Sequence, residues 1–401
     1  MTPILAPLRI VENSAFVAAP LAGMTLAQLG ADVIRIDRPN GGLDYKRWPV
    51  TKDGTSMFWA SMNKGKRSIV LDTSKPEGRE IALSLICGSS DHDGIFLSNL
   101  RSGDWLSYEE LRKNRSDLIY LAIKGDRFGN PHMDYTINPA VGFALATGPK
   151  GSKEPVAHVL PAWDCITGYQ AAIGLVCAAH HRKETKQGQE ITLNLKDVAL
   201  SVLDHLGIIA EATLNDSDRP KLGNGLYGGY AQNFTCSDGA MLIVVALTSG
   251  QWRSLKAATN TEETFQMLGS LLHCSFEDEA DRFRHADAIS DVLRPLFKAM
   301  PFHEAKRLLH KHGATWSLYR TFREVVNDDD DCSVRNPIFS EIHQPGIGAT
   351  IASGSPLEFS GIGRSSPSPA PQLGRDTEAI LYELGFCSRS IGRLYDQGIV
   401  A

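Results

Sequence analysis

The first half of the chain alternates short apolar runs with longer stretches of helical period. Runs at 8–12, 32–37, 67–72, 94–99, 118–123 and 190–195 are rich in Ile, Val and Leu and predict strands. Between them the pattern predicts helices over 20–30, with Pro20 as first residue, and over 73–87, with Pro76 near the start. A third opens at the capping box Ser107-Tyr-Glu-Glu110. Strand, helix and strand in this order make right-handed parallel units. Their repetition predicts a doubly wound α/β sheet with function at the C-terminal ends of its strands.

One stretch stands apart: Leu160-Pro-Ala-Trp-Asp-Cys-Ile-Thr-Gly168. From Asp164 the residues stay uncharged until His180-His181-Arg182-Lys183, which predicts a buried helix over 164–182 with Asp164 at its N-terminus. Two readings of Asp164 are compatible. As a helix N-cap it accepts a free backbone N–H; as a nucleophile it is kept ionised by the helix start while apolar neighbours strip its water. Downstream, 197–214 has the period of one long amphipathic helix.

Near 215–220 the texture turns polar, and the Gly-rich run Gly223-Asn-Gly-Leu-Tyr-Gly-Gly229 follows. Two strands within 233–247 about a Ser237-Asp238-Gly239 turn, then helices at 249–257, 261–274, 287–299 and 302–312, predict a separate small α+β domain. The acidic run 328–331 reads as a solvated turn, since a calcium loop needs spaced oxygens and a Gly. The last 65 or so residues are strand-poor and Pro/Ser-rich, with one helix carrying Ile380, Leu381 and Leu384 that packs back on the first sheet. The expected division is a large domain of 1–215 and 335–401 and a small one of 216–334.

Composition narrows the chemistry. A net charge of −5 over 401 residues argues against a nucleic-acid partner or a polybasic membrane contact. No run reaches the roughly 18 to 20 apolar residues of a membrane span, and the opening residues show no signal-like pattern. Seven cysteines without a CxxC pair suit free thiols, so the expected setting is the cytoplasm. The turn after the first strand lacks the glycines of a dinucleotide site, which leaves no place for NAD or FAD, and there is no GxSxG elbow. His180-His181 at a helix end, and His303, His310 and His312 without HExxH spacing, make no metal site. Cys165 reads as a buried small hydrophobe rather than a nucleophile. Cations fall where strands begin or end: Arg38, Lys64, Lys66, Arg67, Arg101 and Lys124. Singly each is a solvated charge; together, on one side of a sheet, they form a cradle for a multiply phosphorylated ligand.

Several segments resemble the family III CoA-transferases: Phe16-Val-Ala-Ala-Pro20, Leu26-Ala-Gln-Leu-Gly-Ala-Asp-Val-Ile-Arg-Ile-Asp-Arg38, Asn63-Lys-Gly-Lys-Arg-Ser-Ile-Val-Leu-Asp72, Asp164 through Gly168, Gly188-Gln189, Gln251-Trp252 and Leu373-Gly374-Arg-Asp-Thr377. The resemblance runs end to end. It implies an interlocked homodimer, a doubly wound, Rossmann-like large domain formed by both chain ends, and an inserted small α+β domain. It implies that Asp164 is the catalytic carboxylate and that Val17, Arg38, Lys66, Arg67, Asn99, Arg101 and Lys124 line a coenzyme A channel, with Gly228 and Gly229 standing for the family's mobile glycine lid. Coenzyme A would enter only as part of the substrate, with no permanently bound cofactor and no metal.

Narrower segments, Gly42-Leu-Asp-Tyr-Lys-Arg-Trp-Pro-Val50, Asp134-Tyr-Thr-Ile-Asn-Pro139 and His158-Val-Leu-Pro-Ala-Trp-Asp164, resemble members that act on an acyl-CoA thioester of a C5 dicarboxylic acid and move CoA between its two carboxyl groups. The helix start after Asp164 would supply the N–H donors for the tetrahedral oxygen. Two alternatives share the fold. Transfer between two separate acids uses the same Asp. The 2-methylacyl-CoA racemases need a His directly before an Asp, whereas here Met133 precedes Asp134 and His132 stands one place early.

Overall fold

The computed structural model describes residues 4–101 and 103–401. The chain divides into two compact units, one of 1–141, 159–215 and 330–401, the other of 142–158 and 216–329. The stretch 142–158 thus groups with the second unit, where the sequence boundaries had put it in the first.

In chain order the first unit begins β1 (Arg9–Asn13), α1 (Ala18–Gln28), β2 (Asp32–Asp37), α2 (Met57–Met62), β3 (Arg67–Val70), α3 (Pro76–Cys87), β4 (Ile95–Ser98), α4 (Tyr108–Asn114), β5 (Ile119–Lys124) and α5 (Asp134–Ala140). A short turn of helix, α6 (Phe143–Ala146), belongs to the second unit. The first unit resumes with α7 (Ala162–Thr185), β6 (Gln189–Asn194), α8 (Leu195–His205) and α9 (Ile208–Leu214). All six strands pair in parallel in the order β3-β2-β1-β4-β5-β6. The order reverses between β1 and β4, and that switch point opens a crevice at their C-terminal ends.

The two-residue period of the strands sorts their side chains between two layers. Val11, Ile34, Phe96 and Tyr120 pack on one face against Ile81 and Leu85 of α3 and Leu111 of α4. Ile10, Val33, Leu97 and Leu121 pack on the other against Ala22 and Leu26 of α1 and Ala171, Leu175 and Ala178 of α7. Each fully buried aliphatic side chain contributes about 1.5–3 kcal/mol relative to exposure. The chain end returns to the first face through Ile380, Leu381, Ile391 and Leu394.

Three expectations change. The helix expected from Asp164 begins at Ala162 with Pro161 as cap, so Asp164 is its third residue and not its N-cap. That helix is also buried on one side only: Tyr169, Ile173 and Val176 are exposed in the single chain. The helix expected over 197–214 breaks at Gly207, whose φ of 70° ends α8 and starts α9.

The second unit continues with β7 (Tyr230–Thr235), β8 (Met241–Ala246), α10 (Ser249–Thr259), α11 (Glu262–Leu272), α12 (Glu279–Arg284), α13 (Ala286–Ala299), α14 (Phe302–Lys311), β9 (Thr315–Leu318) and α15 (Phe322–Asp328). Its sheet is antiparallel, β7-β8-β9, around Trp252, Phe234 and Phe297. The sequence pattern had missed α12, β9 and α15. All three are short, and α12 opens on the Asp278 side chain, which accepts from Ala280 and Asp281 N–H. The acidic run closes α15 and forms a short exposed turn.

The chain then returns to the first unit with β10 (Phe339–Gln344), β11 (Gly348–Ser353), α16 (Thr377–Glu383) and α17 (Ser388–Asp396). Strands β10 and β11 form a hairpin in a region expected to lack strands. Their residues mix Ser, Thr, His and Gln with few apolar positions, so no alternation marked them.

Candidate active site

At its far end α7 inserts Arg182, which donates to the carbonyls of Asp93 and Gly94 just ahead of β4, at 2.9 and 3.0 Å. That anchors the helix C-terminus at the N-terminal edge of the sheet and carries its N-terminus, with Asp164, toward the C-terminal edge. The approach to α1 is close: a Cβ at Gly168 would stand 2.8 Å from the Ala18 carbonyl oxygen. Asp164, one turn earlier, therefore faces the start of α1, where β1 leads through Ser14 and Phe16.

This loop is under constraint. Phe16 holds a φ of 68°, a conformation few non-glycine residues adopt. Its N–H donates to Asp44 Oδ2 at 3.0 Å, and Ala15 is bound through both backbone groups to the Asn99 amide. Arg47 lies over the rings of Phe16 and Phe58, 5.3 and 5.2 Å from their centroids. A buried ion network supports the loop from below. Arg35 donates to Asp37 at 2.7 Å, to Asp44 at 3.1 Å and to Ser14 Oγ at 3.1 Å, while Lys66 donates to Glu12 at 2.8 Å.

Asp164 is largely buried, and burial is the main reason its carboxyl is pushed up to about 6; the charge of Asp134 adds to the rise, and Arg47 opposes it. Asp134, the first residue of α5 and 2% exposed, accepts the N–H of Trp163 at 2.7 Å and of Asp164 at 3.3 Å through Oδ2. The Cys165 N–H bonds Pro161 O at 3.0 Å. The donors expected at the start of α7 are thus taken, and they form no oxyanion site. At the start of α1, Val17, Ala18 and Ala19 place their N–H groups in a first helical turn, which has no intrahelical acceptors.

The expected single cradle of cations is corrected by the parallel topology. Arg38, Arg101 and Lys124 follow or end strands and lie at the C-terminal edge. Asn99, Arg101 and Lys124, with Arg127 and His132, line a cleft of about 740 Å³ there. Lys66 is enclosed: its ammonium donates to Glu12, Asn63 and the Pro20 carbonyl, which uses all three N–H bonds. Arg67 begins β3, on the opposite edge, and pairs with Asp32 and Glu383 beside Arg9. Lys64 donates to the Ser353 carbonyl. Val17 is buried as the N-cap residue of α1. Asn99 is at the cleft but spends its amide on Ala15.

Gly228 and Gly229 lie in the second unit. Gly228 has a φ of 77° with open space where a Cβ would go, whereas a Cβ at Gly229 would stand 2.9 Å from Leu247. The thiol of Cys165 is pushed up by burial, in keeping with a hydrophobe. His132 Nε2 lies 3.4 Å from Asp126, a local partner, and Met133 is exposed. Among the described residues no group of three or more His, Cys, Asp and Glu is arranged to hold a metal ion.

Arg47 and Asp134 are the neighbours of Asp164 that residue chemistry alone did not single out. Both lie in segments quoted for the resemblance, but their link to Asp164 spans 117 and 30 residues of sequence, and no local spacing signals it.

Comparison with known proteins follows the same line. The profile of CoA-transferase family III matches residues 5–377. The chain is 49% identical to 2-methylfumaryl-CoA isomerase of Chloroflexus aurantiacus, over all of this chain and 98% of that one. It is 26% identical to succinyl-CoA:mesaconate CoA-transferase of Haloarcula hispanica, covering 94% and 96%. Among solved structures, a CAIB/BAIF family protein from Brucella suis superposes with a TM-score of 0.76 at 25% identity, over 96% of this chain and 100% of that one.

Proposed function

Because the chain belongs to CoA-transferase family III, an enzyme family acting on CoA thioesters, we propose that it moves CoA within one molecule, interconverting 2-methylfumaryl-CoA and 3-methylfumaryl-CoA. The observation that carries this reading is Asp164: a largely buried carboxylate at the switch point, its carboxyl near 6 and so ionised at neutral pH, in a chain 49% identical to a 2-methylfumaryl-CoA isomerase.

The chemistry follows from a carboxylate in that place. Asp164 attacks the C1 thioester carbonyl, the C–S bond breaks, and CoA thiolate leaves a mixed anhydride. The thiolate attacks the aspartyl carbonyl, which releases the free dicarboxylate and leaves an aspartyl-CoA thioester. The C4 carboxylate of the same acid then attacks that thioester and expels the thiolate. Attack of the thiolate on the C4 acyl carbon regenerates the Asp164 carboxylate. Each step exchanges one activated acyl group for another, so no outside energy source is needed. N–H groups at the start of α1 stabilise the tetrahedral oxygen. Arg101, Lys124 and Arg127 hold the CoA phosphates in the cleft beside Asn99, with Arg38 at the same edge. CoA is then substrate and not a resident cofactor. The exposed apolar face of α7 at Tyr169, Ile173 and Val176 supports a homodimer, and seven unpaired cysteines suit the cytoplasm.

The 26% identity to a transferase between succinyl-CoA and mesaconate favours transfer between separate acids as the second reading. Racemase chemistry is disfavoured, because the residue before Asp134 is Met133, which moves no proton. Incubating pure protein with 2-methylfumaryl-CoA alone separates these readings. Formation of 3-methylfumaryl-CoA without an added acid supports the intramolecular route; strict dependence on a second acid supports the intermolecular one. No conversion under either condition overturns both.

A further inference from the structure

The geometry points to Asp134 as a positioning residue, one that fixes the direction in which Asp164 projects and maintains a negative charge beside it. The inference rests on the reading of Asp164 as nucleophile. Asp134 binds two consecutive N–H groups of the first turn of α7, those of Trp163 and of Asp164 itself, so the backbone that carries the nucleophile is tied directly to this carboxylate. Asn138 on the same short helix α5 adds a contact, its Oδ1 3.4 Å from Trp163 Nε1.

A purely structural cap needs one good acceptor, which Asn or Ser supplies. A carboxylate goes further, since its second oxygen must also be satisfied. Here Oδ1 of Asp134 is buried with no hydrogen-bond partner among the described residues, so its charge is spent on no other donor there. Its effect on Asp164 is electrostatic. A nearby fixed anion makes Asp164 more basic, hence a stronger nucleophile once ionised, and occupies the helix-start N–H groups that would otherwise bind the Asp164 carboxylate and blunt it.

The neighbours that act on Asp164 are Asp134 from α5 and Arg47 from the loop before α2. The facing helix α1 contains no titratable side chain. The other titratable groups on elements packed on α7 are Tyr135 on α5, Tyr120 and Lys124 on β5, Glu190 on β6, and Lys196, Asp197, Asp204 and His205 on α8.

The test uses Asp134→Asn, which keeps an acceptor for the two N–H groups and removes the charge, and Asp134→Ala, which removes both. Carbodiimide coupling to Asp164, mapped by peptide mass spectrometry across pH 4 to 8, reads the titration of residue 164 without any substrate. In the full-length protein the midpoint should fall by about one pH unit in Asp134→Asn, a tenfold change in the proton affinity of Asp164. The acid limb of the kcat profile for CoA transfer should move down with it, with KM changed less than kcat. Asp134→Ala should lower kcat by ten- to a hundredfold through misplacement of Asp164. An unchanged labelling midpoint in Asp134→Asn overturns the inference, whatever the turnover. A shifted midpoint in a protein that transfers no CoA upholds the coupling of the two acids and fails the functional reading instead.

Discussion

Asn99 grips the peptide of Ala15 from both sides: its Oδ1 accepts the Ala15 N–H at 2.9 Å, and its Nδ2 donates to the Ala15 carbonyl at 2.7 Å. The contact bridges the switch point, joining the end of β4 to the loop that leaves β1. It fixes the loop that carries Phe16 and Val17 into the start of α1. Asn99→Ala removes both bonds and should cost about 1–3 kcal/mol by chemical denaturation. Turnover should fall further than the CoA dissociation constant rises, because the loss is one of loop geometry.

The Asp164 carboxyl, raised to about 6 by burial and by Asp134, sets an acid limit. Below that pH it is protonated and cannot attack, so kcat should rise with pH through an inflection near 6. The folded state holds this proton more tightly than the unfolded chain, whose carboxyl has its ordinary value near 4. Ionising it therefore lowers stability as pH rises from about 4 to 6, by about 2 kcal/mol after allowance for partial exposure. Asp164→Asn should abolish turnover and raise Tm at pH 7.5, with no gain at pH 4.

Arg47, stacked on Phe16 and Phe58, opposes that rise. In Arg47→Ala the acid limb of kcat should move to higher pH by several tenths of a unit, and the same change removes a cation beside the reacting centre. Arg47→Lys should restore the pH profile but only part of the rate, since an ammonium does not stack as a planar guanidinium does.

Gly168 allows α7 to lie against α1. A methyl group there would meet the Ala18 carbonyl oxygen at 2.8 Å and Leu21 Cβ at 3.1 Å. Gly168→Ala should destabilise the fold by about 1–3 kcal/mol and reduce turnover by shifting Asp164; thermal melts and kinetics on the same sample test both.

Lys66 belongs to the buried network and not to a phosphate cradle. Its ammonium is fully used by Glu12, Asn63 and Pro20. Lys66→Met removes the nearer of the two cations on buried Glu12, leaving Arg35 at 3.6 Å, and should cost about 3 kcal/mol. Protein that remains folded should bind CoA with unchanged affinity, whereas Arg101→Ala should weaken CoA binding with little effect on Tm.

How far such features could be read without coordinates depends on their range. The strands announced themselves because Ile, Val and Leu at 32–37 or 118–123 must be buried on two faces, and a Ser107 cap needs only its own helix. Asp164 was legible for the same reason, as one acid opening a long uncharged run. The cations were misread because a basic residue next to a strand looks alike at either end. Parallel pairing sends Arg67 to the edge opposite Arg101, and the pull of Glu12 draws Lys66 inward.

The order of residues by itself determined the alternation of strand and helix, the family, and the identity of the candidate nucleophile, since each is written in local period or in contiguous motif. Tertiary structure alone decided that Asp134 would hold the helix start, that Arg47, stacked on two aromatic rings, would act on Asp164, and which cations would share a cleft. These depend on distances between segments far apart in the chain, and electrostatic influence falls with distance in space, not with separation in sequence.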